Sequence, residues 1–151
     1  IHGGAVVSAR ARRRGYERSM AAHGLAANVR SVPGAYTEDG GASAMRAVLD
    51  TADVPTAVFV ANDLAALGAL DALDHAGVRV PQDLSLVGYD DIVTAQSPRV
   101  ALTTVAQPSL QIGRTAVNLL LERVRGGRSE ARHVVLPPKL VVRGTTAAPG
   151  A

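Results

Sequence analysis

The sequence predicts an α/β fold, an open parallel sheet with helices on both faces. Short apolar runs alternate with longer helical segments along the 151 residues, and residues 56–89 contain a strand, a helix and a second strand in succession. A unit of this kind joins two parallel strands through a right-handed crossover. Three such units in sequence predict a sheet that is covered by helices on both sides.

The N-terminal part of the chain predicts two strands and two helices before the central unit. Residues 1–7 are expected to form the end of a strand and a glycine turn, followed by a helix over 9–23 and a strand from Leu25 to Val32. Gly24 stands where helices commonly end. The loop "PGAYTED" leads to a helix over 39–52, and acidic residues near its start suit the positive end of a helix.

The central unit has the clearest pattern. Its first strand, 56–61, leads to Asn62, a residue type that often caps helix N-termini. Leucines then recur at helical spacing as far as Gly77, where the helix is expected to end. The second strand, 84–89, ends at two adjacent carboxylates in the stretch "VGYDD". Polar residues are therefore expected at the carboxyl ends of both strands.

The pattern changes after Asp91. A long connection leads to a short strand over 101–105, and one amphipathic helix is expected over 109–125. The stretch "RHVVLPPKLVVRGTT", residues 132–146, predicts two extended segments separated by two prolines. The tail, 147–151, is expected to be mobile.

Composition limits the possible functions. Aromatic residues make up 3 per cent and apolar residues 47 per cent of the chain, which predicts an aliphatic core. The absence of cysteine excludes disulfides, thiolate catalysis and cysteine-based zinc sites, and it fits a cytoplasmic protein. No run approaches the roughly 18 apolar residues of a membrane span, so no membrane partner is expected. Because the sequence begins at Ile1 without a leader pattern, we expect a piece of a longer protein.

A cluster of arginines near the N-terminus leaves two interpretations open. The pI is about 9.9, yet the formal net charge is only +3. Such a cluster forms either a solvated helix face or a surface that binds nucleic acid. We expect the solvated face. The cluster consists of Arg10, Arg12, Arg13, Arg14 and Arg18.

Polar residues follow each predicted strand, and they are the candidate binding residues. Because parallel strands end at one edge, where ligands of such sheets bind, these side chains are expected to converge there. An amide, carboxylates, arginines and a tyrosine suit a polyhydroxylated or other small polar ligand. Purely structural roles remain possible, as a helix cap for Asn62 and as surface residues for Arg12 and Tyr36, and Asp91 is expected to stabilise a turn. The four junctions carry Ser8, Arg10 and Arg12; Tyr36; Asn62 and Asp63; and Asp90 and Asp91.

Patterns typical of enzymes are missing. The sequence contains no phosphate loop of the form GxxxxGK[ST], no GxSxG serine and no GxGxxG after a strand. Its four histidines are scattered without the spacing of metal ligands. A phosphoacceptor Asp would need a lysine at a neighbouring strand end, and Lys139 lies in a late strand. We therefore expect a protein without enzymatic activity, metal or cofactor.

Several long motifs together resemble the effector-binding core of LacI/GalR-family transcription regulators. The central motif is "AVFVANDLAALGALDALDHAGVRVPQDLSLVGYDD", followed by "LTTVAQP". The earlier "ARARRRGYERSMAAHGL" has the family's arginine three residues before a Gly-aromatic pair, and "LVVRGTT" resembles its closing strand, which usually has Ser in place of Thr145. The similarity covers essentially the whole chain.

The resemblance implies a set of effector contacts. Arg12 matches the effector-contacting arginine, Tyr36 an aromatic position, Asn62 the amide of "AND" and Asp90 the first Asp of "GYDD". Ser109 stands near where some members carry an aromatic residue. Gln107, at the crossing into the other lobe, is a further candidate. Sugars or their phosphates are the commonest effectors of the family, although purines and other small molecules occur.

The resemblance also implies a periplasmic-binding-protein-like fold of two α/β lobes with the effector between them. Residues 1–105 would form most of the C-terminal lobe, 106–127 would cross into the N-terminal lobe, 128–146 would return as strands, and 147–151 would be a flexible tail. The protein is expected to be a homodimer. It would bind DNA only through an N-terminal domain that this chain does not contain.

A second function remains open for the same fold. A periplasmic sugar-binding protein of an ABC transporter would share the "ND…ALGAL" unit and the same site edge. The stretch "VPQDLSLVGYDD" is closer to the regulator pattern. A preceding helix-turn-helix would indicate regulation, whereas a signal peptide would indicate transport.

Overall fold

The computed structural model describes residues 1–2, 7–127 and 129–148, and over these ranges the chain forms four α-helices and four strands. The predicted helices and the central strands are confirmed, with ends that differ by a few residues. The predicted glycine turn at 3–6 and the end of the tail at 149–151 lie outside the described residues. In chain order the elements are α1 (Val7–Ala22), α2 (Glu38–Leu49), β1 (Ala57–Phe59), α3 (Asp63–His75), β2 (Ser85–Asp90), β3 (Thr103–Ala106), α4 (Ser109–Val124) and β4 (Lys139–Val141).

The strands form one sheet in the order β1-β2-β3-β4. β1 pairs with β2 and β2 with β3 in parallel, as predicted, but β4 runs antiparallel to β3. The prediction of an entirely parallel sheet is therefore wrong at this edge. Lys139, the first residue of β4, pairs with Ala106, the last residue of β3. The chain thus rejoins the sheet at the same end from which it left, and only an antiparallel direction is then possible.

The strand predicted from Leu25 to Val32 is wrong over most of its length. Ala26–Asn28 form a short 3-10 turn, in which the amide of Asn28 donates to the carbonyl of Leu25 at 2.9 Å. Among the described residues, extended pairing near this segment is limited to one parallel bridge between His2 and Pro33. A backbone whose hydrogen bonds are made within a local turn cannot donate them to a neighbouring strand.

Helices α2 and α3 pack against each other at very short range through two glycines. A Cβ atom at Gly41 would overlap the carbonyl of Ala65, and one at Gly68 would overlap the carbonyl of Glu38. Both helices begin with a side-chain cap, since Thr37 accepts from the amide of Gly40 and Asn62 from that of Ala65. The caps and the glycines together place the start of α3 at the carboxyl edge of the sheet.

The core lies between this helix pair and the sheet, and it is aliphatic as predicted. Its largest side chains are at most 1% exposed. Alanines along α3 allow the helix to approach the strands closely. The large core residues are Met45, Val60, Leu73, Leu84, Leu86 and Leu102.

The segment after β4 forms hydrogen bonds with β2 and β3 near the first residues of these strands. Thr145 donates its hydroxyl to the carbonyl of Leu86 at 2.7 Å and accepts from the amide of Thr103 at 2.9 Å. Its own carbonyl accepts from the amide of Leu86. Of the return strands expected over 128–146, regular pairing is therefore confined to β4, and the rest of the described segment is irregular but partly hydrogen-bonded.

No helix in the described part of the chain combines the length and the apolar character that a membrane span requires.

Candidate functional site

Three of the predicted site residues follow consecutive parallel strands. Asn62 caps α3 just beyond β1, Asp90 is the last residue of β2, and Gln107 comes directly after β3. Because these strands run in the same direction, all three residues lie at the carboxyl edge of the sheet.

Arg12 and Tyr36 reach this edge from α1 and from the loop before α2. The Arg12 Nη2 atom donates to the Tyr36 hydroxyl at 2.7 Å, and the Ser8 hydroxyl lies 3.5 Å from the same oxygen. Asn62 donates through Nδ2 to the backbone carbonyl of Tyr36 at 3.2 Å. The loop that carries Tyr36 is therefore tied to both α1 and α3.

Asn62 is buried, and both ends of its amide group already have partners. Its Oδ1 accepts from the amide of Ala65 at 3.1 Å, while Nδ2 binds the carbonyl of Tyr36. Asn62 therefore acts as the N-cap of α3. One N–H of the amide group and a second lone pair of Oδ1 remain for another partner.

Asp90 and Gln107 form a direct hydrogen bond across the ends of β2 and β3. The Gln107 Nε2 atom donates to Asp90 Oδ1 at 2.6 Å. Partial burial raises the pKa of the Asp90 carboxyl above its usual range, and the negative charge of Asp63 adds to this increase. The bond from Gln107 and the positive charge of Arg12 act in the opposite direction. Asp90 also has a φ of 122°, in the left-handed region, which turns its side chain out of the strand geometry.

Tyr89, which sequence analysis did not propose for the site, shapes it directly. The guanidinium carbon of Arg12 lies 4.4 Å from the centroid of the Tyr89 ring and 5.6 Å from that of Tyr36. Tyr89 follows Gly88, which faces Asp63 of α3, so its ring lies on the opposite face of the sheet, against Arg12 of α1. The sequence offered one signal for Tyr89: tyrosine is rare in this chain, which has only three.

Asp63, which the sequence places beside Asn62 at the junction after β1, is fully buried. Its Oδ1 accepts from the Thr104 hydroxyl at 2.6 Å and its Oδ2 from the amide of Ile92 at 2.9 Å. It also packs so closely on β2 that a Cβ atom at Gly88 would overlap Oδ1. Asp63 therefore joins α3 to the ends of two strands, and its charge acts on Asp90 from beneath the site.

Asp91 has the structural role that the sequence predicted. Its Oδ1 forms an ion pair with Arg143 Nη2 at 2.6 Å, and both side chains are 19% exposed. Arg143 also donates to the carbonyl of Leu102 at 2.8 Å, while the backbone carbonyl of Asp91 accepts from Gln96. With a φ of 59°, Asp91 lies in the turn after β2, and its side chain is bound to Arg143.

The arginine cluster divides between the site and solvent. Arg10 is exposed and two residues from Arg12, about 200° around the helix, so the structure does not bring it to the other site residues. Arg14 and Arg18 are exposed as well, and Arg13 pairs with Glu17 on the outer face. Apart from Arg12, the cluster is therefore exposed, as both a solvated helix face and a nucleic-acid surface would be.

Other features of the described residues lie away from this edge. Two surface clefts, one at Gly126–Arg132 and one between the end of α3 and Arg99–Ala101, include none of the five predicted residues. The exposed Arg79 lowers the pKa of the Asp83 carboxyl to about 2 by donating to it. Across the described ranges, His, Asp and Glu side chains form no group of three that could hold a metal ion.

Comparison with known proteins identifies the family. The periplasmic binding protein-like domain matches residues 3–146. The chain belongs to this family. The fold, with polar residues at the carboxyl edge of a mainly parallel sheet, agrees with that assignment.

Among curated proteins the chain is similar to transcriptional repressors. It is 39% identical over 140 residues to the HTH-type transcriptional repressor PurR of Haemophilus influenzae strain PittEE, which covers 90% of this chain and 42% of the repressor. It is 42% identical over 116 residues to PurR of Escherichia coli O1:K1 / APEC, which covers 77% of this chain and 34% of the repressor. The chain therefore spans less than half the length of these relatives.

Solved structures of LacI-type regulators match the fold closely. A LacI transcriptional regulator from a Rhodococcus species has a TM-score of 0.92 and 40% identity, over 97% of this chain and 54% of that one. The regulator CelR, solved with cellobiose, has a TM-score of 0.87 and 37% identity, over 96% and 45%. A LacI-family regulator from Enterococcus faecium, with bound ribose, has a TM-score of 0.84 and 32% identity, over 91% and 51%. The resemblance to LacI-type regulators is thereby confirmed.

Proposed function

We propose that this chain is the ligand-sensing lobe of a LacI-type transcription regulator, in which a small polar effector controls binding to operator DNA. The observation that carries the proposal is the convergence of residues from separate segments at the edge of the sheet, where they form two hydrogen-bonded groups, Arg12–Tyr36–Asn62 and Gln107–Asp90. The proposed effector contacts are Arg12, Tyr36, Asn62, Asp90 and Gln107. The regulators among its relatives support the role in transcription.

The charges of the site favour a neutral effector with several hydroxyl groups. Arg12 and Asp90 carry opposite charges close enough to affect the pKa of Asp90, so together they contribute no net charge. The ionised Asp90 accepts hydroxyl protons, and the guanidinium of Arg12 donates to hydroxyl oxygens. A sugar or sugar derivative fits these groups. Two similar regulators, solved with cellobiose and with ribose, support this class of ligand without selecting one sugar.

The domain arrangement is part of the proposal. Residues 1–105 form the C-terminal lobe, 106–127 cross to an N-terminal lobe outside this chain, 128–146 return, and 147–151 are a tail. Helix α4 supports this arrangement, because none of its residues, all of which are described, is buried. Leu119 is partly buried, but the other six large apolar side chains of α4 are 40–74% exposed, which is unusual for an amphipathic helix. They are Leu110, Ile112, Val117, Leu120, Leu121 and Val124.

The mechanism we propose is linkage between two sites. An effector bound between the lobes favours one arrangement of them, and this arrangement sets the spacing of two DNA-binding heads in a homodimer. The effector changes DNA affinity only as far as it distinguishes the two states. A coupling of ~1–3 kcal/mol changes operator affinity about 5–150-fold. The dimer, the DNA-binding domain outside this chain and the cytoplasmic location rest on the similar regulators, one of which is a dimeric Lac repressor.

The test is titration of the full-length protein that contains this chain. Calorimetry with cellobiose, ribose and other monosaccharides is expected to show saturable binding of at least one sugar, and that sugar is expected to change the affinity for DNA from the protein's own promoter region. Arg12→Ala is expected to weaken sugar binding, whereas Arg14→Ala, an exposed position on the same helix, leaves it unchanged. Specific promoter binding that no sugar alters contradicts the sugar assignment. Absence of any specific DNA binding contradicts the regulator.

A further inference from the structure

Tyr89 lies against the guanidinium of Arg12 but is not one of the five proposed effector contacts. The Arg12 guanidinium carbon is 4.4 Å from the centroid of the Tyr89 ring, well within the range of a cation–π contact. The ring projects from β2, where Tyr89 is paired with Val105 of β3. Its backbone is thus fixed by the parallel sheet, whereas Arg12 sits on a helix with little other packing.

Contacts of two kinds hold the same guanidinium. Nη2 donates to the Tyr36 hydroxyl at 2.7 Å and to the Ser8 hydroxyl at 3.5 Å, and these bonds fix one edge of the group. The Tyr89 ring lies 4.4 Å from the guanidinium carbon and so contacts the group from a second direction. Bonds from Nη2 alone would leave the group free to rotate about that atom, so both kinds of contact are needed to set a direction.

The Nε atom of Arg12 shows that the hydrogen bonds alone do not explain this position. It is buried and has no hydrogen-bond partner among the described residues. A buried donor without a partner costs free energy that it would recover in water. The side chain nevertheless lies inward, against Tyr89, and the attraction between the cation and the ring offsets that cost.

We propose that Tyr89 is a positioning residue for Arg12: its ring fixes the direction in which the guanidinium faces the carboxyl edge of the sheet. This inference rests on the proposed effector site, in which Arg12 is a contact. Tyr89 need not touch the effector itself. Its aromatic face matters for this role, and its hydroxyl does not.

The test is the rate at which phenylglyoxal modifies each arginine, followed by mass spectrometry on the complete chain. Arg12 is expected to react slowly, and Arg14, exposed on the same helix, serves as the internal reference. Tyr89→Leu is expected to raise the rate of modification at Arg12 about 5–30-fold, because this factor corresponds to the free energy of a cation–π contact. Tyr89→Phe keeps the ring and is expected to retain the slow rate. Tyr16→Leu, which removes a tyrosine from α1 itself, is the matched control.

Two results would overturn the proposal. The first is a rate of modification at Arg12 that stays low in Tyr89→Leu. The second is a rate at Arg12 in Tyr89→Phe that is as high as in Tyr89→Leu. Arg143, which is 19% exposed in its ion pair, reports unfolding, because it becomes reactive if a variant loses its structure. If a variant is unfolded by this criterion, NMR of the unsubstituted chain is used instead. The Arg12 side-chain protons are then expected to show an upfield ring-current shift relative to those of Arg14, and absence of this shift contradicts the contact with the Tyr89 ring.

The assay also separates this inference from the proposed function. No effector is present in it, so failure of sugars to bind leaves the reactivity of Arg12 unchanged. If a sugar does bind the full-length protein, its affinity is expected to fall in Tyr89→Leu and to be restored in Tyr89→Phe. Equal affinity in both variants would show that the ring does not position Arg12 for the effector.

Discussion

Asp90 shows at the scale of single residues how environment separates two adjacent carboxylates. It lies partly buried beside Gln107, its pKa is raised, and its φ of 122° is unusual for any residue with a side chain. Asp91, one residue later, is neutralised by Arg143 and shapes the turn. The pair "DD" is therefore one candidate ligand contact followed by one structural ion pair.

Asp90→Asn is expected to weaken effector binding at least about 10-fold, since it removes a charged hydrogen-bond acceptor. The chain should still fold, because Asn tolerates positive φ better than Ala does. Calorimetry on the full-length protein, using whichever sugar binds it, measures the loss. Asp74→Asn, an exposed position on α3, is the control. Unchanged affinity in Asp90→Asn would remove Asp90 from the site.

The raised pKa of Asp90 predicts a pH dependence of stability. Folding favours the protonated carboxyl, so its contribution to stability is complete below the unfolded pKa of about 4 and is lost as pH rises through the higher folded pKa. Asn does not titrate, so Asp90→Asn does not lose this stability as the pH rises. The free energy of unfolding of the variant, relative to the parent chain, is expected to increase from pH 3 to pH 7 in urea titrations. A relative stability that falls over this range contradicts the assignment.

Arg143→Met is expected to lower the free energy of unfolding by about 1.5–3 kcal/mol, because it leaves the carboxylate of Asp91 and the carbonyl of Leu102 without their charged donor. Urea denaturation followed by circular dichroism measures the difference. Arg14→Met, which removes an exposed arginine that has no partner among the described residues, should change stability by less than about 0.5 kcal/mol. Equal effects at both positions would mean that the Asp91 turn does not depend on its ion pair.

At the scale of elements, the pairing of α2 with α3 determines where the site residues begin. The two helices meet backbone to backbone at Gly41 and Gly68, and this close approach positions Asn62 and Asp63 at the start of α3. Asp63 then joins α3 to Thr104 and Ile92. A helix displaced by one side-chain layer could not make these bonds.

Gly68→Ala is expected to destabilise the chain by about 1–3 kcal/mol or more, because its Cβ atom would overlap the backbone of Glu38 and the helices would have to move apart. Gly113→Ala in α4 is the matched control. No atom lies within 4 Å of a Cβ there, so helix propensity alone predicts a gain of up to about 1 kcal/mol. Thermal unfolding of both variants measures the contrast. A stabilised Gly68→Ala would contradict the tight helix contact.

At the scale of the whole molecule, the described residues form a packed core to which neither α1 nor α4 contributes. The core joins α2, α3 and the sheet, whereas α4 leaves the sheet after Gln107 with its apolar face exposed. This asymmetry is what the proposed crossing to a second lobe predicts, since a helix buries its apolar face against a partner.

Leu120→Gln is expected to change the stability of this chain by less than about 0.5 kcal/mol, because Leu120 is 60% exposed here. Leu102→Ala, at a fully buried position, should cost about 2–5 kcal/mol. In the full-length protein Leu120→Gln is expected to cost clearly more than in the chain alone. Denaturant titration of both forms makes the comparison, and equal costs would contradict the crossing helix.

The sequence by itself determined the α/β class, the helices, the central parallel strands and most of the candidate site. These follow from local patterns: hydrophobic periodicity, the Asn62 cap and polar residues placed directly after strands. Since all parallel strands end at one edge, the sequence order of those residues was enough to predict that they meet.

Only the tertiary structure decided the direction of β4, the loss of the strand after Gly24, and the roles of Asp63, Tyr89 and Arg143. Each depends on a partner distant in sequence: Ala106 for Lys139, Thr104 for Asp63 and Asp91 for Arg143. Local patterns carry no information about such pairs. Arg12 lies over Tyr89, and Arg10 does not, because the position of α1 against the sheet selects one helix face.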